Sequence, residues 1–185
     1  MILGLAGRAG TGKSTIANHL IEKYGFQKYS FAEPLKQMLL NAGMCSREEL
    51  YGEKTANSRW LMQKIGTEIF KKQVDKDYWI KKAHENLSGL GSENIVIDDV
   101  RFPEEADWIT GGCSRRLQPA IPGFIIRVVR KNYIDAVAGF GHDSERLLNK
   151  IVPDFLIKAK SGDIKSLIEQ ADAVMKKLGS LVVET

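Results

Sequence analysis

Eight consecutive residues, Gly7-Arg8-Ala9-Gly10-Thr11-Gly12-Lys13-Ser14, fill every fixed position of the pattern G-x-x-x-x-G-K-[ST]. Glycines at these positions let main-chain N–H groups turn inward around phosphate oxygens. A helix beginning at the end of the run points its positive terminus at the same anion. Lys13 can reach the β- and γ-phosphates of a nucleoside triphosphate, and the Ser14 hydroxyl can ligate Mg²⁺. Residues Gly7 to Ser14, with Thr15, are therefore the candidate binding residues for ATP, the expected cofactor along with Mg²⁺.

A second chemical signal is Ile95-Val96-Ile97-Asp98-Asp99. A β-branched run ending in aspartate reads as a buried parallel strand with its carboxylates at the carboxyl end. That is where a nucleotide-hydrolysing or transferring site holds its metal. Adjacent strand residues face opposite ways, so only one of Asp98 and Asp99 is expected to share the metal of Ser14 if the strand continues that far. Arg101 follows and could hold a transferring phosphate. The competing reading of Asp98–Arg101 is a charged loop with a helix cap.

These residues need a scaffold, and the patterning supplies one. Residues 2–6 read as a buried strand, and a helix from about Gly12 to Tyr24 follows, with Gly25 just past its end. His19 on this helix is expected to face solvent. Phe26–Phe31 reads as a second strand. Pro34 suits the first turn of a helix with the core stripe Leu35, Met38 and Leu39. Lys36 lies off that stripe, near a strand end, where α/β sheets collect ligands, which makes it a candidate to hold the phosphate of an acceptor substrate. A solvated lysine would look the same. Ser46 and Glu49 form a capping box for a helix over Arg47–Tyr51.

The next helix is expected from about Asn57 to Lys72, with Leu61, Ile65 and Ile69 buried. Arg59, Gln63, Gly66, Thr67 and Phe70 share another of its faces. A glycine inside a helix costs about 1 kcal/mol relative to alanine, so Gly66 suggests close approach by a ligand or another backbone. Asp75 or Asp77 caps a helix running to about Leu87. Its Trp79 is more often a core residue than a stacking platform.

Phe102–Ile109 reads as a short helix, with Pro103 in its first turn and Glu104 and Glu105 suited to its N-terminal dipole. Thr110–Gly123 is a loop, its Arg115-Arg116 pair a solvated tip. Phe124–Val129 and Phe155–Ala159 are strands, with Arg130 at the carboxyl end of the first. Ser161-Gly162-Asp163 caps a last amphipathic helix that packs the sheet and is expected to end at Gly179.

The chain has 185 residues and a net charge of +4, with no run of four basic residues, so a nucleotide suffices to explain the basic balance. No stable nucleic-acid binding is expected. No apolar run reaches spanning length and no leader pattern opens the chain, so neither a membrane segment nor a signal peptide is expected. Cys45 and Cys113 form no CxxC, which fits a reducing cytoplasm.

Four blocks in order resemble the bacteriophage-type deoxynucleoside monophosphate kinases, within the P-loop nucleotide kinases. They are GRAGTGKST (7–15), SFAEPLK (30–36), RWLMQKIGTEIF (59–70) with DKDYW (75–79), and IVIDDVRFPEEAD (95–107). The spacing R-x₁₁-H-x-S-E from Arg130 to Glu145 is similar to the family's lid. The resemblance implies a three-layer α/β/α P-loop kinase fold around a central five-stranded parallel sheet. It also implies a single domain over residues 1–185, with a helical acceptor-binding region at about 34–88 and a lid at about 130–150.

The reaction it implies moves the ATP γ-phosphate to a deoxynucleoside monophosphate. Carried over by position, Lys13 and Ser14 would hold ATP and Mg²⁺, and Asp99 matches the aspartate of D-V-R-F and Arg101 its arginine. Lys36, Arg59, Gln63 and Trp79 match acceptor-pocket positions, and Arg130 would be a lid cation. The chain departs from the family at Cys113–Pro122, where the family runs almost directly from the glycine pair into the next strand.

Two other readings stand beside this one. A P-loop kinase could phosphorylate another small acceptor, such as dephospho-coenzyme A or phosphomevalonate. An ATPase switch would usually place a glutamate after the strand aspartate, where this chain has Val100. Expected partners are small-molecule nucleotides. The loop at 111–123 could serve a homodimer or nothing. The expected location is the cytoplasm, that of the host if a phage encodes the chain.

Overall fold

A computed structural model of the chain describes residues 1–88, 94–112, 122–130 and 147–183. The chain forms two compact units: Met1–Tyr29 with Ser92–Thr185, and Ser30–Gly91.

The first unit is built on five parallel strands, β1 (Ile2–Ala6), β2 (Gln27–Tyr29), β3 (Ile95–Val100), β4 (Gly123–Arg130) and β5 (Phe155–Ala159), in the order β2-β3-β1-β4-β5. All five residues of β1 are buried, as expected of a central strand covered on both faces. Helix α1 (Lys13–Tyr24) and the last helix, α7 (Ile164–Val183), pack Ile16, Leu20, Leu167 and Ala171 against Leu3, Leu5 and Val128 on one face. Helix α6 (Pro103–Ile109) covers the other face. There a Cβ on Gly4 would stand 2.7 Å from Ile109 Cδ1 and Ile125 Cδ1. Gly4 thus lets α6 approach β1, and the unit has three layers.

Three local expectations change. Strand β2 is only three residues long. Helix α7 does not stop at Gly179 but runs on to Val183. Gly179 does not adopt a positive φ, and Ser180 Oγ donates to the carbonyls of Lys176 and Lys177, so a modest glycine penalty is absorbed. His19 is not solvent-facing. Its side chain is 15% exposed, and Nε2 lies 2.6 Å from Asp172 Oδ1.

Asp172 joins α7 to α1 through three groups, since Lys23 Nζ donates to Oδ2 at 2.7 Å and the Tyr24 hydroxyl to Oδ1 at 2.9 Å. The hydrogen bonds from His19 and Lys23 outweigh burial and hold the Asp172 carboxyl well below the usual range. A depressed folded-state value gives stability that is present above the unfolded value, about 3.9, and lost as pH falls below it. The difference in unfolding free energy between wild type and Asp172→Asn should therefore shrink as pH falls from about 5 to about 2. Urea titrations at each pH measure it; a difference independent of pH would contradict the assignment.

The second unit is helical: α2 (Glu33–Asn41), α3 (Arg47–Tyr51), α4 (Ala56–Gln63), a π-helix (Lys64–Val74) and α5 (Tyr78–Leu87). Leu35, Leu39, Cys45, Leu50 and Leu61 form its core, with Ile65 and Trp79 packed against them. Ser46 and Glu49 make the expected capping box on α3. The helix expected to be continuous over 57–72 changes to i→i+5 bonding after Gln63, as in the Asp75 N–H to Phe70 carbonyl bond of 2.8 Å. Spacings of three and four then no longer mark one face, and Ile69, expected in the buried stripe, is 39% exposed.

Candidate active site

The first unit carries the phosphate loop at the carboxyl end of its central strand. Gly10 and Gly12 have φ of 74° and 100°, the left-handed region that glycine tolerates. A Cβ on Gly12 would stand 2.6 Å from Leu167 Cδ2, so α7 backs the loop closely. A Cβ on Gly7 would press on the main-chain carbonyl oxygen of Val128 in β4, which cannot swing aside. Gly7→Ala should therefore destabilise the fold by about 2–3 kcal/mol in chemical denaturation. A cost below about 0.5 kcal/mol would show that the loop yields at this point.

Thr11 is buried, and its hydroxyl donates to the Arg8 carbonyl at 2.9 Å. Lys13 Nζ donates to the carbonyls of Gly7 and Arg8, both at 2.7 Å. The ammonium is thus held across the loop it closes. Burial and the charge of Arg101 push Lys13 down to about 8, against Asp98 and Asp99, which push it up. Arg101 and both aspartates accordingly lie within electrostatic reach of Lys13. Arg130 ends β4, and its Nη1 stands 4.0 Å from the place a Cβ would take on Gly10. The structure therefore brings Lys13, Asp98, Asp99, Arg101 and Arg130 to the phosphate loop. Ser14 is exposed in the first turn of α1.

Strand β3 does continue through the aspartates, but a bulge interrupts it. Gly4 pairs with Ile97 and Ala6 with Val100, so three steps on β3 oppose two on β1. Ile97 and Val100 consequently share the Gly4 face, Val100 Cγ2 lying 3.1 Å from a Cβ placed on Gly4. The alternation that would send Asp98 and Asp99 to opposite faces does not hold across this pair. Asp98 Oδ2 is paired with Lys28 Nζ of β2 at 2.7 Å and its side chain is 11% exposed. Just beyond, the buried Glu105 accepts the N–H groups of Arg101 (2.7 Å) and Phe102 (3.0 Å) on one oxygen, fixing the turn that presents Arg101.

Sequence reasoning missed Lys28. Its signal was a lysine in the strand one place before an aromatic. Glu105 was read only as a dipole partner, although Glu three residues after Phe102 is half of a capping box.

In the second unit, Lys36 is half-buried with Nζ 4.7 Å from the centre of the Tyr51 ring. Arg59 and Gln63 lie one turn apart on α4, the first exposed and the second half-buried. Among the described residues no other backbone approaches Gly66. A Cβ there would stand 2.6 Å from Leu35 Cδ2, so a core side chain explains the glycine. Trp79 donates its indole N–H to the Gly66 carbonyl at 2.9 Å and packs on Phe70 and Tyr78, with ring centres 5.3 and 4.8 Å away. It braces the π-helix, in keeping with its reading as a core residue. Residues 113–121, Arg115-Arg116 among them, and the lid residues 131–146, with His142, lie outside the described residues.

Among the described residues no cluster of three or more His, Cys, Asp or Glu forms a metal cage. Mg²⁺ needs none, since it binds through one or two carboxylates together with substrate phosphates and water. The hard oxygen donors of Ser14, Asp98 and Asp99 fit that ion. No helix among the described residues is long and apolar enough to cross a membrane.

A parallel three-layer sheet with a phosphate loop after its central strand, a clustered lysine and arginines and acidic groups defines an ATP-dependent phosphotransferase of the P-loop kinase type. The profile of the family described as "Deoxynucleotide monophosphate kinase" matches residues 47–132. A protein of Acanthamoeba polyphaga mimivirus named "Putative deoxynucleotide monophosphate kinase" is 32% identical over 133 residues, which cover 59% of this chain and 68% of that one. The chain belongs to the deoxynucleotide monophosphate kinase family.

Two solved structures share the fold. TT1252 from Thermus thermophilus has a TM-score of 0.51 at 17% identity, covering 96% of this chain and 97% of its own. A sugar kinase from Janibacter sp. HTCC2649 has a TM-score of 0.50 at 16% identity, covering 95% and 94%.

Proposed function

We propose that the protein transfers the γ-phosphate of ATP, with Mg²⁺, to a deoxynucleoside monophosphate and releases the diphosphate. Family membership supports the acceptor class. The observation that carries the donor half is the convergence of Lys13, Arg101, Arg130 and two aspartates on the phosphate loop.

Phosphoryl transfer needs positioning and stabilisation of spread negative charge more than covalent chemistry. The loop N–H groups seat the β- and γ-phosphates, and Lys13 exchanges its two carbonyl partners for phosphate oxygens. Arg101, presented by the Glu105-pinned turn, and Arg130 face the charge that develops on the transferring group. Ser14 and Asp99 hold Mg²⁺, while Asp98, already paired with Lys28, adds its field. When bound, Mg²⁺ neutralises charge on the phosphate oxygens. Lys36, Arg59 and Gln63 hold the acceptor, and Trp79 keeps their wall in shape. A phosphate acceptor is already an anionic nucleophile, so no strong general base is required. These small-molecule nucleotides are the partners the reaction requires.

ATP turnover with and without dAMP, dCMP, dGMP, dTMP, hydroxymethylated dCMP and the ribonucleotides tests this reading. At least one deoxynucleotide should raise turnover far above the basal rate. Rapid hydrolysis that no monophosphate alters would contradict it. Arg59→Ala should raise KM for the acceptor much more than KM for ATP; equal losses would remove Arg59 from the acceptor side.

A further inference from the structure

Around Tyr51 the second unit gathers two cations that no direct ion pair among the described residues neutralises. Lys36 Nζ lies 4.7 Å, and the Arg47 guanidinium carbon 5.1 Å, from the centre of the same ring. The Tyr51 hydroxyl donates to Glu33 Oε1 at 2.6 Å. Gln37 Nε2 donates to that oxygen at 2.8 Å and to the Tyr51 hydroxyl at 2.7 Å.

Glu33 and Lys36 stand three apart on one helix, the spacing of a routine ion pair. Glu33 instead spends Oε1 on a phenol and an amide. Among the described residues neither Lys36 nor Arg47 has a carboxylate within ion-pair distance. Burial pushes the Glu33 carboxyl up, but the hydrogen bonds from Gln37 and Tyr51 and the charges of Lys36 and Arg47 outweigh it and keep it ionised. Burial and Glu33 push the Tyr51 phenol up to about 12, so it remains a donor.

Two cations against one carboxylate leave positive charge in excess. Lysine and arginine side chains ordinarily lose much rotamer freedom on binding an anion. Here both already rest against one aromatic ring, Tyr51. Guanidinium and ammonium groups so placed suit a doubly charged terminal phosphate, the guanidinium offering two parallel donors. We propose that Lys36 and Arg47, held on the Tyr51 ring, seat the phosphate of the deoxynucleoside monophosphate, with Tyr51 as the positioning residue. This rests on the acceptor class proposed above and adds Arg47 and Tyr51 to its recognition. Both were read from sequence only as part of a short capped helix.

The test uses the full chain and the monophosphate that wild type phosphorylates fastest among dAMP, dCMP, dGMP and dTMP. Its unphosphorylated deoxynucleoside is the control. Calorimetry should show that Arg47→Met weakens monophosphate binding about tenfold, leaving deoxynucleoside binding and KM for ATP within about twofold. Arg47→Lys should recover part of the loss. Tyr51→Leu, which frees both cations, should match Arg47→Met, whereas Tyr51→Phe, which keeps the ring, should stay within about threefold of wild type. Arg47 is exposed, so its variants report even where Tyr51→Leu is unstable. Unchanged monophosphate binding in Arg47→Met overturns the inference, as does equal loss of monophosphate and deoxynucleoside. A wild type that phosphorylates a monophosphate while Arg47→Met binds it normally defeats this inference alone. A wild type that binds none of the four defeats the acceptor reading with it.

Discussion

Lys13→Met is expected to lower kcat by about 10²–10³-fold while the protein stays folded. Lys13 Nζ donates to two main-chain carbonyls of the loop, Gly7 and Arg8, at 2.7 Å each. Both residues are half-buried, so water can satisfy the carbonyls once the ammonium is gone. The fold therefore loses little. What is lost is a cation held ready where charge develops, in a place whose low exposure makes it count more than in bulk water. Steady-state kinetics alongside a thermal melt separate the two effects. A variant with near wild-type kcat would remove Lys13 from the chemistry, and one that fails to fold would show the carbonyl bonds to be structural.

The second large effect separates the adjacent aspartates. Asp99→Asn should lower kcat by about 10²–10³-fold and raise the Mg²⁺ concentration needed for half-maximal rate. Asp98→Asn should cost only about tenfold, because that carboxylate is already paired with Lys28 at 2.7 Å and acts on the site through its field. Lys28→Ala combined with Asp98→Asn should cost little more than Asp98→Asn alone, since both changes break one pair. Mg²⁺ titrations of the rate decide the assignment. The reverse pattern, with the Mg²⁺ requirement moved by Asp98→Asn and not by Asp99→Asn, would transfer the metal to Asp98.

Much of the donor half was legible because local chemistry dictates it. A glycine-rich run between an apolar strand and an amphipathic helix has few other folded outcomes, and the Ser46–Glu49 box marks α3 directly. Less was legible where the decisive contact is remote. The His19–Asp172 pair joins residues 153 apart, and helical periodicity alone places His19 only on a face. The β3 bulge leaves no trace in a β-branched run, because it arises from the register against β1. The π-helix is hidden for a related reason: spacings of three and four look alike until the bonding is known, and Trp79 thirteen residues on is what holds the Gly66 carbonyl. Gly66 itself was recognised as a close-packed position, but the partner is Leu35 rather than a ligand or backbone. For Lys36 the sequence offered a side chain off the core stripe, and the structure shows the ring on which it rests.

The most direct measurement of the central claim follows the fate of the γ-phosphate. With ATP labelled at that position and each deoxynucleoside monophosphate in turn, the label should appear in a deoxynucleoside diphosphate, one per ATP consumed. Label released as inorganic phosphate at the same rate whether or not a monophosphate is present would contradict the account.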